Sequence, residues 1–149
     1  MIMEVAELKN KIRVAFNDTP YPKSKLTDTY DDEGVSEYFQ GKSWDGNDVS
    51  DLRYHSVALS LFEPEAFRYY LPAFMLAELE DPDTADIIGE SIVFHFSQPE
   101  KPWEENFEKR LFLFTSIEKE AILEFIDYMQ AKYELFDDAV IYASRRLCS

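Results

Sequence analysis

Glu63-Pro64-Glu65-Ala66-Phe67-Arg68-Tyr69-Tyr70-Leu71-Pro72-Ala73-Phe74-Met75-Leu76-Ala77-Glu78-Leu79 is the stretch from which the rest of the chain can be read. Pro64 stands where a first-turn N–H would have no partner, and Glu63 and Glu65 face the positive end of a helix macrodipole. A helix therefore starts here and runs to about Leu79. From Leu71 onward it is apolar nearly all round, the pattern of a helix buried at the centre of a domain. Pro72 deprives the Arg68 carbonyl of its partner, which predicts a kink, with the hydroxyl of Tyr69 or Tyr70 placed to fill the gap. Tyr69, Tyr70, Pro72 and Phe74 form the structural motif of this helix, and Tyr69, Tyr70, Leu71, Phe74 and Met75 are predicted to be largely buried. The functional alternative is a groove lined by the aromatics of the kink.

Toward the N-terminus, Val5, Leu8, Ile12, Ala15 and Phe16 recur at steps of three and four. They predict an amphipathic helix over residues 3–16, stopped by Asn17-Asp18-Thr19-Pro20. Residues 17–31 read as loop. Asp32 to Phe39 predicts a short helix with Val35, Tyr38 and Phe39 inward, closed by Gly41. A turn over Ser43–Asn47 holds a buried Trp44, and a second short helix follows from Val49 or Ser50 to about Leu59.

Beyond the break at Asp81-Pro82-Asp83, residues 84–96 support two readings. Ile87, Ile88 and Ile92 favour a helix from Thr84, whereas Ile92, Phe94 and Phe96 alternate like a strand. The helix is preferred. Residues 97–106 read as loop, and Leu111-Phe112-Leu113-Phe114 as a short apolar run, extended or the end of a turn. Thr115-x-x-Glu118 is a capping box opening a long helix. Its predicted inward stripe is Ile117, Ala121, Phe125, Tyr128 and Met129, with Glu118, Glu120, Glu124 and Asp127 off it. A last helix runs from about Asp137 to Leu147, its acids first and Arg145 and Arg146 last, each opposing the local dipole charge. No repeat or linker divides the chain. The fold class is mainly α, a single compact multi-helix domain over residues 1–149 with a proline-kinked central helix. The alternative is α+β, with a small sheet near residues 92–96 and 110–114.

The 149 residues are 46% hydrophobic and 15% aromatic, which suffices for one core. Thirty Asp and Glu against fifteen Lys and Arg give a net charge of −15. That surplus repels phosphate backbones and anionic lipid heads, so the expectation is no nucleic acid and no membrane, and any macromolecular partner should be basic. The most apolar run, Tyr69–Leu79, is interrupted by Pro72 and Glu78 and falls far short of the ~20 residues of a membrane span. The chain opens with acids where a signal peptide needs bases, and Cys148 is its one cysteine. Both point to a cytoplasmic, reducing setting.

Motifs that carry chemistry fail on spacing. His55 and His95 are the two histidines, and neither has a partner at metal-ligand spacing. Asp51 and His55, four apart, form a carboxylate–histidine pair if they share a helix face. The acidic run from Asp28 through Asp31, Asp32 and Glu33 to Gly34 places its glycine one position late for a calcium loop. In Gly89-Glu90-Ser91-Ile92-Val93 a valine replaces the second glycine of a nucleophile elbow. Gly41-Lys42-Ser43 ends like a phosphate-binding loop, but Ser36 stands where its upstream glycine belongs. Cys148 lies in the tail. The sequence thus offers no catalytic residue, no metal and no cofactor, and leans away from an enzyme.

Phe39-x-Gly41-Lys42-x-Trp44 followed by Ala66-Phe67-x-Tyr69-Tyr70-Leu71-Pro72-Ala73-Phe74-Met75 resembles a family of small bacterial proteins of unknown function. Phe107, Arg110, Phe114 and Thr115 extend the similarity. The resemblance implies a bacterial cytosolic origin and one compact domain, and supplies no activity. The expected function is a small acidic protein-binding module, immunity- or inhibitor-like. Its partner-binding residues are Asp28, Asp31, Asp32 and Glu33 with the neighbouring Lys42 and Trp44, since loops on a rigid scaffold carry binding and acids steer an approaching cation. The alternatives are an enzyme with a cryptic carboxylate/His site and a structural homo-oligomer whose exposed aromatics meet.

Overall fold

The computed structural model describes residues 4–28, 33–134 and 137–148. Among them are ten α-helices and no sheet, and Thr27 and Phe62 form one isolated antiparallel bridge. The mainly-α reading holds.

α1 (Val5–Phe16) buries Leu8, Ile12, Ala15 and Phe16, the stripe its periodicity predicts. α2 (Val35–Phe39) follows Gly34, whose φ of 83° is a left-handed conformation that glycine adopts without strain. The single helix expected after Trp44 is two: α3 (Val49–Tyr54), capped by the Asp48 carboxylate on the Asp51 N–H, and α4 (Ala58–Leu61). α5 (Pro64–Glu80) is the centre. Thirteen of its seventeen residues are buried, and it packs against α1, α3, α6, α7 and α8. With neighbours on so many sides it has no solvent face to make polar, hence its all-round apolar sequence.

α6 (Pro82–Ala85) and α7 (Ile88–His95) resolve the ambiguity of residues 84–96 as helix. Ile88, Ile92, Val93 and Phe96 are buried at helical spacing, while Phe94, the middle member of the strand-like alternation, faces solvent. Gly89 lets the side chains of Met129 and Glu78 come close to the backbone of α7, and a larger residue would make their ends shift. A Cβ at this position would lie 2.5 Å from Met129 Cε and 2.6 Å from Glu78 Oε1. The helix therefore accepts the glycine's cost of about 1 kcal/mol.

The loop expected over 97–106 and the extended or turn-end run over 111–114 are both corrected. A short 3₁₀ turn (Lys101–Trp103) leads into α8 (Glu104–Leu113). Its buried stripe, Phe107, Arg110, Leu111 and then Phe114, has helical spacing. An arginine in the stripe hides that spacing from a hydrophobicity reading. The alternative sheet near 92–96 and 110–114 falls with it, since both segments lie in or at the ends of helices.

α9 (Ser116–Tyr133) opens on the predicted capping box. Glu118 N–H donates to Thr115 Oγ1 at 3.2 Å and Thr115 N–H to Glu118 Oε1 at 2.8 Å. Its stripe is rotated from the one expected. Ile117 is exposed and Tyr128 half-buried, whereas Glu118, Ala121, Ile122, Phe125, Ile126 and Met129 are buried. α10 (Asp137–Leu147) packs on α9 and α7 with acids first and arginines last, as its sequence predicts.

Candidate interaction surface

The two segments that the sequence singles out meet in space. Tyr70, fully buried on α5, sends its hydroxyl to the Phe39 carbonyl at 2.7 Å, with the Lys42 carbonyl 2.9 Å from the same oxygen. The hydroxyl thus holds the turn after α2 and does not fill the gap left by Pro72. Burial raises the Tyr70 pKa, aided by the neighbouring Tyr21 hydroxyl. The phenol therefore stays a donor.

Gly41, at φ 78°, donates its N–H to Tyr21 Oη at 2.8 Å, and the Tyr21 ring meets Tyr69 edge-on at 5.3 Å. Phe39 is surrounded by Phe62, Tyr70 and Phe74 at 5.2, 4.8 and 6.0 Å. The Phe-x-Gly-Lys-x-Trp segment is therefore a docked turn. Aromatic packing holds it on one side and carbonyl hydrogen bonds on the other.

This turn carries two of the predicted contact residues. Lys42 Nζ lies 4.9 Å over the Tyr38 ring. Trp44 is 8% exposed and lines a groove of about 300 Å³ between α1, the turn and α5, beside Lys9, Arg13 and Asp45. Asp28 is exposed and paired with Lys25 at 2.6 Å, which holds its carboxyl below the usual range. Glu33 follows in a left-handed conformation at φ 56°. Asp31 and Asp32 lie outside the described residues.

The sequence-level chemistry resolves differently. His55 caps α3 and stacks on Tyr38 at 4.4 Å instead of pairing with Asp51 through its ring. Cys148 is exposed and free. Among the described residues, no three of His, Cys, Asp and Glu converge as a metal site. No helix among them is long and apolar enough to cross a membrane.

Three buried polar groups escape a sequence reading. Glu118 is 1% exposed and accepts from Arg68 Nε at 3.0 Å, Arg68 Nη2 at 3.1 Å, Thr115 N–H and the Thr19 hydroxyl. Its capping-box spacing is the only signal that hints at this role. Glu78, on α5, accepts from the Gly89 N–H at 3.1 Å and the Tyr133 hydroxyl at 3.3 Å, and burial pushes its pKa up. Arg110 lies with its guanidinium 4.0 Å over Phe67 and donates to the Leu59 carbonyl at 3.2 Å and His95 Nδ1 at 3.3 Å. Burial brings it down to about 10.

His95 gives a pH prediction. Burial first, and then the charge of Arg110, hold its imidazole down to about 3. Arginine only donates, so Nδ1 is the acceptor and the ring proton sits on Nε2. Unfolded, the ring takes its proton near about 6.5. The stability this group contributes is complete above that value and is lost as pH falls toward 3, at about 1.4 kcal/mol per unit. Urea unfolding of the wild type and His95→Gln at pH 7, 5 and 4 is the measurement. The variant should lose less stability on acidification, the gap closing or reversing by about that slope. Parallel losses would show that His95 titrates alike in both states.

The family of unknown function DUF6714 matches residues 4–142, and the chain belongs to it. No curated protein and no solved structure matches.

Proposed function

We propose that this member of a family of unknown function is a small acidic protein-binding module of the bacterial cytosol, immunity- or inhibitor-like, that captures a basic protein. One observation carries the reading. Among the described residues only Glu78 and Glu118 are buried acids, so the excess that gives a charge of −15 is displayed to solvent. Such a surface steers a cationic partner and repels anionic ones. The two buried acids are engaged inside the fold by Gly89, Tyr133, Arg68, Thr115 and Thr19.

The proposed contact region is the acidic segment Asp28, Asp31, Asp32 and Glu33 with the turn bearing Lys42 and Trp44. The anchoring of that turn by Tyr70 and Tyr21 supports it, because a loop held rigidly gives up less entropy on binding. The single cysteine is in keeping with a reducing compartment.

The test starts by passing a lysate of the source cells over the immobilised protein and eluting with about 0.5 M salt. Each basic protein eluted is then purified and recombined with the module. The expected result is a one-to-one complex whose association rate falls steeply as salt rises from about 0.05 to about 0.5 M. Neutralising Asp28, Asp31, Asp32 and Glu33 together should slow association and flatten that dependence. A complex indifferent to salt, or no complex with any basic protein, would overturn the reading.

A further inference from the structure

We propose that the groove between the start of α5 and the outer face of α8 receives an apolar side chain from a basic segment of the partner, flanked by Lys or Arg; this rests on the protein-binding reading above. The groove measures about 520 Å³. Its apolar part is Pro64, Phe112 and Leu113, and its rim carries Glu63, Glu65, Glu105 and Glu108, with Lys109 the one cation among the lining residues. Phe112 is 88% exposed, while Phe107, Arg110 and Leu111 already supply the buried face of α8. The core has no use for this phenyl ring, and what sets it apart from the other exposed aromatics is the groove it shares with Pro64 and Leu113 inside a rim of carboxylates, the make-up of an anchor pocket.

The charges choose the occupant. Glu105 pairs with Lys109 at 3.4 Å, and Arg146 grips Glu108 through both oxygens at 2.5 and 2.7 Å. Glu65 has a neutral partner, the Ser24 hydroxyl at 2.9 Å, and Glu63 feels Lys25 and Arg110 only at a distance. Among the described residues neither of these two carboxylates is in a salt bridge, so they are the ones left beside the exposed ring to meet a cation. A second copy of this chain, itself at −15, would bring acids against acids here, whereas a lysine or arginine on either side of an apolar residue meets opposite charge. The groove also borders the acidic segment. Glu63 N–H donates to the Leu26 carbonyl at 2.7 Å and Thr27 bridges Phe62, so the chain leaves for Asp28 from the groove's edge. One basic segment can span both.

Amide chemical-shift mapping tests the proposal on the full chain. The probes are a short lysine-rich peptide with one central tryptophan and the same peptide with alanine in its place. The tryptophan peptide should bind about tenfold or more tightly, the worth of burying one large apolar side chain. Shifts should concentrate on Glu63–Glu65 and Lys109–Leu113, and Phe112→Ala should remove the preference while retaining salt-sensitive binding of both peptides. Shifts confined to Asp28 and Glu33, or a preference that survives Phe112→Ala, would overturn the groove and leave the protein-binding reading standing. Shifts at Phe112 that depend on protein concentration without peptide would assign the groove to a second copy and overturn the proposal. Absence of salt-sensitive binding of either peptide would overturn both.

Discussion

Replacing Phe74 with alanine destabilises the protein by about 3–5 kcal/mol, seen as a lower urea midpoint with an unchanged slope. The ring is fully buried on the central helix and 6.0 Å from Phe39. Removing it opens a cavity against the aromatic group of Phe39, Phe62 and Tyr70, where bulky rings already interlock. Neighbours so constrained relax little, and the cost rises with the volume left empty. Phe74→Leu should recover much of the loss because it refills most of that volume. The contrast is Phe112→Ala, expected within about 0.5 kcal/mol because its ring is in water. A loss that small for Phe74→Ala would put the ring at the surface and contradict the central placement of α5.

The contrast between these phenylalanines marks how far the sequence can be read. Phe74 sits in a run apolar on every side, and the only environment that tolerates such a run is a core. Phe112 sits in a run that looks the same, Leu111-Phe112-Leu113-Phe114, yet its helix turns it outward. What fixes that rotation is Arg110, buried because Phe67 offers it a ring face and Leu59 a carbonyl. Both partners are distant in sequence, so no local pattern announces a buried arginine. The same reason rotates α9. Its capping box is local and legible, but Glu118 turns inward because Arg68, fifty residues earlier, waits there.

The candidate surface divides likewise. The turn from Phe39 to Trp44 declares itself by composition, since a glycine just after a short helix with an apolar face marks where that helix ends. That Tyr70 and Tyr21 hold this turn depends on tertiary contacts. The acidic rim around Phe112 could not be read at all. It joins the first turn of α5 to the outer face of α8, and at the start of α5 an acid satisfies the local dipole whether or not it faces a groove.

Arg68→Ala should cost about 3–5 kcal/mol, because it leaves the Glu118 carboxylate buried without its cation. The two sides of this pair are unequal. The Arg68 side chain is 16% exposed and that of Glu118 1% exposed. Without arginine, Glu118 has the Thr115 N–H and the Thr19 hydroxyl, but no opposite charge at a position that is 1% exposed. Without the carboxylate charge, as in Glu118→Gln, Arg68 can still reach solvent at its exposed edge, and glutamine keeps a capping-box acceptor for Thr115 N–H. Glu118→Gln should therefore cost clearly less than Arg68→Ala. The double variant Arg68→Ala/Glu118→Gln should be more stable than Arg68→Ala alone, since no charge is then stranded. Urea unfolding of the four proteins closes the double-mutant cycle. The carboxylate ties together the loop after α1, the central helix and the first turn of α9. Its loss should therefore loosen all three, read as faster amide exchange at Thr19, Arg68 and Thr115. A cost below about 1 kcal/mol for Arg68→Ala would mean that water screens the pair, as it does ion pairs at the surface.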